Sequence, residues 1–156
     1  MSMRKYIHQI LLLALLFASA VCLAAQTDQG NNPFVGKWQL NVAKSKFSPG
    51  PGPKSETVTI APDGKVTVEG ANPQGQSFQW SYTRSGDAAA PIEGMENSTV
   101  MEKMSGNIVD HTWKFGTENQ TGHGVISKDG RAMMYTLNGT DNQGRRVHDV
   151  MIFEKQ

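Results

Sequence analysis

From Phe34 to Gln156 apolar and polar residues alternate in short runs, and no stretch sustains the 3.6-residue period of a helix. In "FVGKWQLN", Phe34 to Asn41, the residues Phe34, Gly36, Trp38 and Leu40 share one side of an extended chain, while Val35, Lys37 and Gln39 take the other. Val58 and Ile60 share a face, as do Val66 and Val68 after the turn at Pro62 to Gly64. Phe78, Trp80 and Tyr82 line one side of the next run, after the turn at Gly70 to Gly75. The pattern continues through Thr99 to Met104, Ile108 to Phe115, Thr121 to Ser127, Arg131 to Asn138 and Arg145 to Lys155. With a short run at Ala90 to Glu93, this makes about ten strands.

Gly-Asn, Asp-Gly and Asn-Gly steps separate the runs and supply the backbone conformations of tight hairpins. A weak internal repeat supports that division: "DGKVTVEGANPQG" from Asp63 and "DGRAMMYTLNGTDNQG" from Asp129 each read as turn, strand, turn. Hairpins in succession predict an all-β fold, an antiparallel up-and-down meander closed into a barrel. The one long segment without strand character, Asn41 to Glu56, carries three prolines and two glycines and predicts a loop. Closure leaves an interior lined by alternate residues. Gly36 on the inner face leaves room for a bulky group, and Trp38 is expected to plug the barrel floor. The competing arrangement is a two-sheet sandwich with Trp38 as an ordinary core aromatic.

The chain before this domain has a different character. Arg4 and Lys5 precede an almost pure apolar run from Ile10 to Ala18, and the small residues Ala24 and Ala25 lead into polar "QTDQGNN". That order predicts a secretory signal peptide over 1–25, a linker over 26–33 and the barrel over 34–156, and so a secreted or periplasmic protein. The apolar run falls short of the ~20 residues of a membrane span, so no integral span is expected. Cys22 is the single cysteine. A lipid-modified N-terminus needs a small residue just before it and usually Leu three before, where Val21 and Ser19 stand. The mature domain is therefore expected to hold no disulfide. Losing Arg4 and Lys5 leaves 13 of the 15 basic residues against 14 acidic ones. This near-neutral balance, without a basic block, suggests neither nucleic acid nor an anionic membrane surface as partner.

"FVGKWQL" resembles the G-x-W first strand of the calycin barrels, the lipocalins and fatty-acid-binding proteins, and "VMIFEK" resembles the final strand of the fatty-acid-binding branch. The likeness spans Phe34 to Lys155 in strand order, with specific residues at its two ends. It implies a calycin-like barrel that binds a small hydrophobic molecule. The fatty-acid-binding family has a helix pair over the barrel between the first two strands, where this chain has its Pro/Gly loop. The family's Arg-x-Tyr pair on the last strand, which holds a ligand carboxylate, is matched here by Met151 and Phe153. The resemblance is thus closer to a lipocalin-like protein.

Alternation and resemblance together nominate Trp38, Phe78, Trp80, Tyr82, Arg84, His111, Trp113, Phe115, Tyr135, Met151 and Phe153 as ligand-binding residues. Arg84 shares a face with Trp80 and Tyr82 but stands at a strand end, where solvent access is expected to weaken its hold on an anion. Neutral ligands such as fatty alcohols, isoprenoids or sterol-like molecules are therefore expected over fatty acids. His111 and His123 lie on successive strands and can be set against each other as zinc or haem ligands, but a third ligand is missing from the pattern, so no metal or cofactor is assigned. Gly122 and Gly124 indicate a bulge or a close backbone approach. No nucleophile elbow, phosphate loop or paired-carboxylate signature is present, and the acids fall at turns. The reading is a non-enzymatic binding protein; its rival is a filled-barrel interaction module acting through Asn41 to Glu56, with no protein partner indicated.

Overall fold

The structure is a computed structural model and describes residues 32–156; the leader, Cys22 and most of the linker lie outside the described residues. Ten strands follow one another: β1 (Gly36–Leu40), β2 (Ser55–Ile60), β3 (Lys65–Ala71), β4 (Ser77–Thr83), β5 (Ala90–Pro91), β6 (Ser98–Ser105), β7 (Ile108–Phe115), β8 (Glu118–Ile126), β9 (Ala132–Thr140) and β10 (Arg146–Lys155). They form one antiparallel sheet in the order β4-β3-β2-β1-β10-β9-β8-β7-β6-β5. Every sequential pair except β4 and β5 is laddered, and β1 pairs with β10, with Trp38 opposite Lys155. The remaining seam is spanned by one bridge between Ser81 and Glu93, with backbone hydrogen bonds of 3.0 and 2.7 Å. The meander is thus a nearly closed barrel, and the sandwich arrangement does not occur.

Strand ends differ modestly from the sequence expectation. β8 starts three residues earlier, because the β7–β8 connection is only Gly116 and Thr117. The run at Ala90 shrinks to two residues beside the open seam. Asn41 to Glu56 is a loop as expected, apart from a single 3-10 turn at Val42–Lys44 and the start of β2 at Ser55. The repeated segments fold alike: β3 and β9 each run between turns in which an Asp or Asn side chain accepts from the backbone. Asp63 and Asn72 do this around β3, and Asp129 and Asp141 around β9. Such side-chain acceptors satisfy turn N–H groups that the ladder cannot reach.

Alternation fills the interior. Trp38 is fully buried and donates from Nε1 to the Phe34 carbonyl at 2.7 Å. Gly36 has φ +132°, and a β-carbon there would stand 2.9 Å from Lys155 Cε. What approaches this glycine is therefore the Lys155 side chain rather than the Trp38 ring. Lys155 Nζ donates to the Pro33 carbonyl at 3.0 Å and lies 5.0 Å from the Trp38 ring centroid. A cation over an indole face, anchored by a carbonyl, closes this end of the barrel. On β8 the inward positions include Gly122 and Gly124, which leave room for Tyr135, Trp113 and Val109. The two glycines thus mark a close approach of side chains to an unbroken strand, since β7 and β8 pair through both positions.

Candidate functional site

The barrel encloses a cavity of about 240 Å³. Three inward residues of β7 form one wall, with His111 stacked on Trp113 (centroids 4.8 Å, 17°) and Trp113 on Phe115 (5.6 Å, 10°). Trp80 meets Trp113 edge to face at 5.7 Å, and Tyr82 does so at 5.8 Å. Met133, Met151 and Phe153 complete an apolar side. Nine of the nominated residues line this space: Trp80, Tyr82, Arg84, His111, Trp113, Phe115, Tyr135, Met151 and Phe153. Trp38 does not, because it is packed into the floor; Phe78 faces a neighbouring groove instead.

A chain of hydrogen bonds crosses the cavity wall. Trp113 Nε1, which can only donate, gives to Tyr135 Oη at 2.8 Å. The Tyr135 hydroxyl also lies 3.2 Å from His111 Nδ1, within hydrogen-bond reach. On the other side of the ring Nε2 lies 3.0 Å from Glu102 Oε2, a carboxylate oxygen that can only accept. Tyr82 donates to the same oxygen at 2.8 Å. Arg84 Nε lies against Glu102 Oε1 as an ion pair without hydrogen-bond geometry, so that N–H has no acceptor among the described residues. Burial alone raises the Glu102 carboxyl, but the His111 bond, the Arg84 charge and the Tyr82 hydroxyl outweigh it and hold the group below its ordinary range. Burial, reinforced by the Glu102 charge, pushes Tyr82 well above the usual phenol value. Burial does the same to Tyr135 against the opposing Trp113 bond. Both phenols therefore remain donors.

Two expectations change here. Arg84 is largely enclosed rather than open to solvent: its side chain is 13 % exposed and that of Glu102 7 %, because β6 brings the carboxylate across the strand end. His111 and His123 do not converge. Residue parity sends His111 inward opposite Gly122, whereas His123 faces outward and pairs with Asp110 at 2.6 Å. Among the described residues no group of three or more His, Cys, Asp or Glu is placed to hold a metal ion.

Sequence reasoning missed the acids. Glu102, Glu56 and Asp149 all line the cavity. Parity carried the signal: Glu56 is in step with Val58 and Ile60, Glu102 with Val100, and Asp149 with Met151 and Phe153. Glu56, Asp149, Phe47 and Pro53 also border a second groove of about 380 Å³ beneath loop residues 47–53. These four residues join the two spaces, so this end is the mouth of the barrel. Asp149 fastens the loop there, its Oδ1 accepting from Ser48 N at 2.8 Å. Burial raises Asp149, and the Ser48 bond opposes the rise. The Glu56 carboxyl has no hydrogen bond or ion pair among the described residues, and burial raises it to about 7. Glu56 is half-buried and lines the cavity.

No protein-family model and no curated protein sequence matches the chain. Solved structures do match. A point mutant of the fluorescent protein UnaG superposes with a TM-score of 0.51 at 16 % identity, over 80 % of this chain and 96 % of that one. Wild-type UnaG gives 0.49 at 17 %, over 79 % and 97 %. At this identity the likeness concerns architecture. The strand order, the β1–β10 closure and the superposition together show that the chain folds as a nearly closed, antiparallel up-and-down barrel of the same architecture as the UnaG mutant.

Proposed function

We propose that this protein is a non-catalytic carrier or receptor that holds one small apolar or amphipathic molecule inside the barrel, and that it works in a secreted or periplasmic setting. The observation that carries the reading is the cavity itself: aromatic and thioether walls in which the Trp113, Tyr135, His111 and Tyr82 polar atoms are tied to one another and to Glu102, leaving a largely apolar space reached from one end. Such a space suits non-covalent capture. At about 240 Å³ it lies below the ~300–1,000 Å³ of ordinary ligand sites, which favours compact molecules over sterol-sized ones. The extracytoplasmic setting rests on the basic, apolar and small-residue order of 1–25.

Preference for uncharged over carboxylate ligands now has a different basis. Among the described residues Arg84 is the one Lys or Arg lining the cavity, and it is already neutralised by Glu102, while Glu56 and Asp149 add negative charge at the mouth. A buried carboxylate ligand lacks a partner and is disfavoured. Titration of the protein with 1-octanol and octanoate at pH 8, followed by tryptophan fluorescence, tests this. Tighter binding of the alcohol is expected. Tighter binding of octanoate that vanishes in Arg84→Gln assigns Arg84 the anchoring role and overturns the uncharged-ligand reading. Absence of both complexes overturns the cavity reading and favours the interaction module.

A further inference from the structure

We propose that the mouth of the cavity is an ammonium site: Glu56, supported by Asp149, receives the cationic head of an amphipathic amine whose apolar body lies along Trp80, Trp113 and Phe115. This deepens the carrier reading and rests on it.

Glu56 differs from the other acids of the barrel. Glu102 is consumed by His111, Tyr82 and Arg84, and Asp149 spends one oxygen on the loop. The Glu56 carboxyl faces the cavity with no partner among the described residues, while its backbone carbonyl accepts from Gln39 Nε2 at 2.9 Å. A carboxylate set among apolar walls and deprived of much of its water gains from a donor that reaches it. Among the described residues no Lys or Arg that lines either space is free to be that donor. Arg84 is paired with Glu102, and Arg145, which borders the outer groove, is paired with Asp141 at 2.7 Å. The described residues shared by the two spaces are two carboxyl groups and two apolar side chains, with no Lys or Arg among them, and this gives the mouth an excess of negative potential that the nearby His148 only partly offsets. Burial raises Glu56 toward neutrality in the empty site, and an ammonium restores the charged form by direct pairing. The aromatic rings just inside take the apolar remainder of such a molecule and stabilise its cationic end through their faces.

The test compares octylamine with 1-octanol and octanoate, three molecules of one chain length, by calorimetric titration of the purified protein at pH 8. Octylamine is expected to bind about tenfold or more tightly than octanol, as a charge-assisted hydrogen bond adds. In Glu56→Gln that advantage is expected to collapse to within about threefold, with octanol in the same variant reporting whether the cavity forms. An amine no tighter than the alcohol overturns the ammonium site and leaves the carrier reading standing. So does an advantage that persists in Glu56→Gln, since the acceptor is then elsewhere. Failure of all three ligands overturns the carrier reading and the ammonium site with it.

Discussion

The hydroxyl of Tyr135 occupies the space that a β-carbon on Gly122 would need. Tyr135 can therefore reach Trp113 and His111 only across a bare stretch of β8. Gly122→Ala is expected to force the phenol out of place and to strip Trp113 Nε1 and His111 Nδ1 of their shared partner. Overpacking and broken hydrogen bonds each act here, so a loss of about 2–4 kcal/mol is expected in urea unfolding, together with a shifted tryptophan emission. Tyr135→Phe separates the two effects. It keeps the ring, removes only the hydroxyl, and is expected to cost about 1–3 kcal/mol.

The Glu102–Arg84 pair gives a second prediction. Both side chains are nearly enclosed, so removing one partner leaves a buried charge. Glu102→Gln is expected to destabilise by about 3–5 kcal/mol, as broken buried pairs do. The double replacement Glu102→Leu with Arg84→Leu is expected to recover at least half of that loss, because the desolvation cost of both ions disappears together. A double-mutant cycle in denaturant measures this. A double variant as unstable as the sum of the singles means the pair is wet.

Strand pairing and the barrel floor were legible in the sequence because they depend on period-two burial, which composition records directly. Phe78, Trp80 and Tyr82 announce β4, and Phe34, Trp38 and Leu40 announce β1. The polar interior was legible only in principle. Glu102 follows Val100 by two residues and sits opposite His111, yet an acid at an inward position reads as a solvated one until its partner is known. Arg84 shows the same limit. Parity placed it inward, but only the meander brings β6 close enough to bury it. The role of Gly36 was half visible: a cleared space was evident, whereas its occupant, Lys155, is 119 residues away in sequence and arrives through closure of β1 on β10.

Floor closure by Trp38 and Lys155 is expected to carry much of the stability. Trp38→Ala removes a fully buried ring and is expected to cost about 3–5 kcal/mol in reversible unfolding. Lys155→Met keeps the aliphatic stem beside Gly36 while losing the cation over the indole and the bond to the Pro33 carbonyl. Its cost is expected to be about 1–2 kcal/mol, the sum of a partly desolvated cation–π contact and one hydrogen bond. A Trp38→Ala loss below about 1 kcal/mol shows that the ring is not the floor.

Glu56 gives the barrel a stability that falls as pH rises. Its ordinary value is 4.5 and its folded value about 7, so the folded state binds the proton more tightly than the unfolded state. For such a group the cost of ionisation inside the barrel is absent below pH 4.5. It grows between 4.5 and 7 and is complete above 7. Asp149 is raised and acts in the same direction, whereas Glu102 is lowered and acts in the opposite one, so the wild-type profile alone is a mixture. The difference between wild type and Glu56→Gln isolates the group. The variant is expected to be more stable by about 1–3 kcal/mol at pH 8 relative to its difference at pH 4.5, with the change centred between those values. Urea midpoints for both proteins across that range provide the measurement. A difference that stays flat with pH means that water reaches the carboxyl freely, and the enclosed mouth assigned to Glu56 is then wrong.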